Sequence, residues 1–92
     1  MSHNDNLLGR TEKTGFAFLM TDLDLAMTMA QIAAQAAQDQ QKRLRNRENA
    51  RRAYDAVVQL SHKAILNESE REQLNEKLGR LKSELETLGE KF

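Results

Sequence analysis

The sequence predicts an all-α fold: an antiparallel helical hairpin or three-helix bundle, with coiled-coil-like packing between copies. Three observations lead there. Proline is absent and glycine occurs only at Gly9, Gly15, Gly79 and Gly89, so residues 16–78 contain no helix breaker. That run is rich in Ala, Gln, Leu, Arg and Glu, the strong helix formers, while Val, Ile, Tyr and Phe are few and never alternate. Its apolar residues recur at spacings of three and four. The chain has 92 residues, enough for one domain. A chain of that size buries only about 60% of its unfolded surface. A core so small favours self-association or a partner.

Residues 1–15 (MSHNDNLLGRTEKTG) read as a flexible N-terminal arm whose Leu7–Leu8 pair can dock. Residues 16–92 read as a single helical domain, with helices at about 21–38, 40–66 and 68–89. For the first helix, Thr21 is the expected N-cap. Asp24 stands where the capping box takes Glu, and Met20 with Leu25 is placed as a hydrophobic staple. The competing start near Phe16 makes Asp22 and Asp24 internal surface residues. Two apolar seams follow: Leu23, Ala26, Ala30, Ala33, Ala37, and beside it Leu25, Met29, Ile32, Ala36. A helix apolar on two stripes is covered on two sides.

Residues 38–49 (QDQQKRLRNREN) carry one apolar residue, Leu44, and the corner is expected near Gln38–Asp39. A single helix over 22–66 is the main alternative. It would be roughly 65–70 Å long and would suit only an oligomer. The second helix sets Ala50, Ala53, Val57, Leu60 and Ala64 on one seam, with Tyr54, Val58 and Ile65 beside it. Glu48–Arg52 and Arg51–Asp55 are spaced to pair on its exposed side. Asn67 with Glu70, or Ser69 with Glu72, forms the capping box of the third helix. Leu74, Leu78, Leu81, Leu85, Leu88 and then Phe92 make a heptad seam, flanked by Glu76–Arg80, Arg80–Glu84 and Lys82–Glu86 pairs. Gly89 is the expected stop. The short connection makes the second and third helices antiparallel neighbours, with Leu78, Leu81 and Leu85 holding them together.

Several chemistries find no residues to carry them. There is no cysteine, so disulfides, thiolate metal sites and cysteine nucleophiles are excluded. His3 and His62 are the only histidines, and no His/Asp/Glu set has zinc-ligand spacing, so no metal site and no cofactor is expected. Met1-Ser2-His3 holds nitrogen ligands of the kind that bind Cu(II), an arrangement lost once the initiator Met is removed. Asp22 and Asp24 point about 200° apart on a helix and suit a helix start better than acid and base catalysis. Ser61 and His62 are adjacent, so they face differently, and no third group orients the histidine. There is no glycine-rich phosphate loop. The chain is expected not to be an enzyme. The apolar run at FAFLM is broken by Asp22 and Asp24, so neither a membrane span nor a signal peptide is expected, and the expected location is cytoplasmic.

The basic run KRLRNRENARR stands out. Lys42, Arg43, Arg45, Arg47, Arg51 and Arg52 are opposed only by Glu48, in a chain of net charge zero. Clustered arginine on a helix is what a nucleic-acid phosphate stripe looks like. Here the positives fall all round the helix and no aromatic lies among them, which favours a solvated or salt-paired segment. A second cluster (Phe16, Phe18, Leu19, Met20, Met27 and Met29) suits ordinary core or dimer packing, or adaptable partner binding.

The stretch NARRAYDAVVQL, with Ala50, Tyr54, Val57 and Leu60, is similar to the second helix of a tetratricopeptide-type hairpin over residues 25–66. The turn glycine and closing proline of that repeat are missing, and no second repeat follows. The resemblance implies a protein-interaction scaffold. The function expected is a non-enzymatic protein–protein interaction or self-assembly module. Its homo-oligomer contact is placed at Leu23, Leu25, Met29, Ile32 and Ala33. The alternative is a nucleic-acid-binding helical protein using 42–52.

Overall fold

The computed structural model describes the chain from residue 2 to residue 92, with side chains from Gly15 onward. Three α-helices follow in order: α1 (Ser2–Gln35), α2 (Gln40–Lys63) and α3 (Glu68–Thr87). Among the described residues there is no strand. The chain is an all-α three-helix bundle.

α1 does not begin at Thr21. The helix runs through it, and Asp22 and Asp24 are internal residues on its surface. The local capping signal lost because Ala17, Leu19 and Met20 are good helix formers and Leu19 gains a place in the core, 2% exposed. The expected N-terminal arm, with its Leu7–Leu8 pair and His3, lies outside the residues whose side chains are described.

The corner falls at residues 36–39, and α1 and α2 are separate helices. Asp39 caps α2, its carboxylate accepting from the Lys42 backbone N–H at 3.0 Å. That bond satisfies one of the donors a helix start leaves free. With so short a connection α2 returns antiparallel along α1. α2 ends at Lys63, and Asn67 caps α3. The Asn67 side chain accepts from the Glu70 N–H at 2.7 Å, and the Glu70 carboxylate accepts from the Asn67 N–H at 3.0 Å. This is the full capping box. α3 closes in a Schellman turn. The Glu90 N–H reaches the Leu85 carbonyl at 2.9 Å and the Gly89 N–H reaches the Glu86 carbonyl at 3.0 Å. Gly89 takes φ +102° there.

α1 is the central helix. It packs most extensively against α2, less against α3, and α2 and α3 touch least. The α3 leucines therefore lie chiefly over α1, not over α2 as the short connection had implied. The reason is the alanine seam of α1. Ala26, Ala30 and Ala33 are fully buried, and their small side chains let two helices approach one. Leu74, Leu78, Leu81, Leu85 and Leu88 fill the space this leaves, joined by Leu19, Leu23, Ala50 and Val57.

Candidate functional site

A regular helix turns about 100° per residue, so burial along α1 separates its faces. Leu19, Leu23, Ala26, Ala30 and Ala33 form the buried seam. Met27 and Asp24 turn to one flank, where with Leu23 they meet Lys77 and Arg80 of α3 in a shallow, open depression. Lys77 forms an ion pair with Asp24. Phe18, Leu25, Met29 and Ile32 turn to the other flank, roughly 80–140° from the seam. Phe18 and Leu25 are 56% and 57% exposed, and Met29 and Ile32 are half-buried.

α2 divides the same way. Ala50, Val57 and Ser61 face the core. Arg47, Arg51 and Tyr54 turn toward the end of α3. Ala53, Ala56 and Leu60 turn away from it, and Leu60 is 45% exposed. Since α3 covers one side of the α1–α2 pair, the other side is an open two-helix face. Phe18, Leu25, Met29 and Ile32 supply one half and Ala53, Ala56 and Leu60 the other.

The expected contact set is thereby divided. Leu25, Met29 and Ile32 belong to this face. Leu23 and Ala33, 1% and 0% exposed, are inside the monomer and cannot touch another chain without unfolding it. Both stripes of α1 were legible in its spacing, but which one α3 would cover was not. The methionine-rich cluster divides too. Leu19 is core, Met20, Met27 and Met29 are packed against it, and Phe18 is exposed.

The basic segment is also divided. Arg47 donates to the Leu88 carbonyl at 3.1 Å. Its Nε lies 2.8 Å from the Glu90 carboxylate, an ion pair without an aligned hydrogen bond. Arg51 donates to Asp55, to Glu90 at 3.2 Å and to the Lys91 carbonyl at 2.7 Å. Its guanidinium also lies 3.9 Å from the centroid of the Phe92 ring. Phe92 meets Tyr54 edge-on at 5.0 Å and has Lys82 on it at 5.4 Å. Two of the six basic residues thus fasten the chain beyond α3 to α2. Phe92 does not extend the heptad seam, because the turn at Gly89 ends the helix and redirects the chain. Lys42, Arg45 and Arg52 stay exposed, and Arg43 is half-buried beside Gln40, Leu44 and Arg47. No spacing rule could have found this fastening, since its partners lie about forty residues apart.

Of the remaining candidates, Ser61 is buried and donates to the Val58 carbonyl at 2.7 Å, while His62 faces solvent. That hydroxyl is engaged with its own helix. Among the described residues, no three His, Asp or Glu side chains come together in a metal-binding group. Of the expected surface pairs, Arg51–Asp55 and Glu76–Arg80 form. Gly15–Gln35 is long and apolar enough to cross a membrane by length and composition. In this fold Leu23, Ala26, Ala30 and Ala33 of that stretch are core against the other helices.

Compared with protein-family models, with curated proteins and with solved structures, the chain matches none.

Proposed function

We propose that this chain is a non-enzymatic helical module whose task is contact with another protein chain, a second copy or a different one. The observation that carries the reading is the open α1–α2 face, where Phe18, Leu25 and Leu60 are about half exposed on one side of the pair. Large apolar side chains gathered on one side of a small bundle mark an interaction surface more often than scattered ones do. The resemblance of residues 25–66 to a tetratricopeptide-type hairpin points the same way.

Molar mass by light scattering at micromolar concentration tests it, on the wild type and on Leu25→Asp and Leu60→Asp. A dimer or larger species that both variants return to monomer places the contact on this face and makes the second copy the partner. A monomer throughout directs the face to a different chain. An oligomer that survives both substitutions refutes the reading.

The nucleic-acid alternative keeps only Lys42, Arg43, Arg45 and Arg52, since Arg47 and Arg51 are held by the chain's own carbonyls and carboxylates. It requires binding that falls steeply with salt. It also requires Arg45→Ala and Arg52→Ala to weaken binding to DNA or RNA of any sequence.

A further inference from the structure

The charges around the open face distinguish between its occupants. Lys42, Arg45, Arg52 and Lys63 all turn to the side of α2 that faces away from α3, roughly 80–160° from its buried seam. All four are exposed. Of the acidic residues of α2, only Asp55 turns clear of these four, because Glu48 stands one turn before Arg52 and about 40° from it. Asp55 lies toward Arg51, which holds it at 3.1 Å. On α1, Asp22 is the one acidic residue of this flank among the described residues, because Asp24 turns to α3 and pairs with Lys77. The face therefore has an apolar half on α1 and a basic border on α2, with Lys42, Arg45, Arg52 and Lys63 against Asp22 and Glu48.

That pattern disfavours a second copy paired α2 against α2. A symmetric pairing that sets α2 against α2 would bring two borders of the same sign together, and like charges across an interface cost affinity. It suits a partner with an apolar stripe edged by carboxylates. A helix is the natural form of such a partner, since a stripe at spacings of three and four fits the groove between two helices. We infer that the open α1–α2 face receives an acidic amphipathic helix from a different protein. Its apolar side rests on Phe18, Leu25, Met29 and Leu60, and its carboxylates meet Arg45, Arg52 and Lys63. This rests on the interaction reading above and adds the chemistry of the partner.

The probe is a pair of fluorescent synthetic helices of about five turns. Each carries a leucine stripe, one edged with glutamates and the other with lysines, titrated by anisotropy into the full chain. The expected result is that the glutamate peptide binds at least about tenfold more tightly than the lysine peptide. Its affinity should fall by about tenfold or more in Arg45→Glu/Arg52→Glu and in Leu25→Asp, and fall with added salt. The substituted residues are exposed, so circular dichroism should show unchanged helix content in each variant.

Equal binding of the two peptides, binding of neither, or glutamate-peptide binding unaffected by the arginine reversals overturns the inference. Binding to phosphatidylglycerol-containing vesicles but not to the glutamate peptide overturns it in favour of a lipid surface. A wild-type dimer that Leu25→Asp dissociates overturns it in favour of a second copy and leaves the interaction reading standing. Oligomers indifferent to Leu25→Asp and Leu60→Asp remove that reading as well.

Discussion

Two glycines of α3 should respond to alanine in opposite directions. Gly79 lies in the exposed interior of α3, and a β-carbon built there meets nothing within 4 Å. Glycine in a helix interior costs about 0.8–1.0 kcal/mol relative to alanine. Gly79→Ala should therefore stabilise the fold by nearly that amount, raising Tm by roughly 4–6 °C for a domain of this size. Gly89 holds φ +102° in the turn that ends α3. An alanine forced into a left-handed conformation costs about 1–2 kcal/mol. Its β-carbon would lie 3.4 Å from Arg47 Nη1, an ordinary van der Waals contact, so the backbone term dominates. Gly89→Ala should lower Tm by roughly 5–10 °C. Thermal unfolding by circular dichroism at one protein concentration reads both. If the two shifts had the same sign, the assignment of one glycine to the helix and the other to its stop would be refuted. A neutral Gly89→Ala would remove the Schellman turn from the argument.

Other substitutions test the remaining supports. Leu81→Ala, at a fully buried position, should cost about 2–5 kcal/mol and bring the bundle close to unfolding, read by urea titration. Asn67→Ala removes the cap of α3 and should cost about 0.5–2 kcal/mol by the same assay. Arg51→Ala should destabilise by about 1–2 kcal/mol through lost contacts with Glu90, the Lys91 carbonyl and Phe92, while Arg52→Ala stays within about 0.5 kcal/mol. Equal effects at 51 and 52 would refute the division of the basic segment. Phe92→Ala should cost about 1–2 kcal/mol, since its ring is half-buried on Arg51 and Tyr54. Its effect should shrink when Arg51 is already Ala, and a double-mutant cycle measures that coupling.

Features carried by local chemistry were legible before any coordinates. Asp39 at the corner, the Asn67–Glu70 box (one of two the sequence offered, beside Ser69–Glu72), the stop at Gly89 and the leucine seam of α3 all depend on residues within a few positions of one another. The structure has each of them where its residue types demand. The Thr21–Asp24 box has the same local form, yet the helix passes through it. A cap can form only where the helix has reason to end. Before Thr21, Ala17, Leu19 and Met20 prefer helix, and Leu19 is buried when they adopt it. Features that depend on a third element were not legible. α1 has two apolar stripes, and nothing in their spacing says which of them α3 will cover. The answer came from side-chain size. The stripe bearing Ala26, Ala30 and Ala33 lets α2 and α3 approach together. The stripe bearing Phe18, Leu25 and Ile32 is bulky and lies on the opposite flank from α3. The fate of Arg47 and Arg51 follows from that placement. Once α3 lies over α1, its end passes beside the start of α2, and Gly89 turns Glu90 and Phe92 back onto those two arginines. What looked like one basic segment thus became two groups with different work. Arg47 and Arg51 stabilise the bundle, while Lys42, Arg45 and Arg52 are left as charge on the face that α3 does not reach.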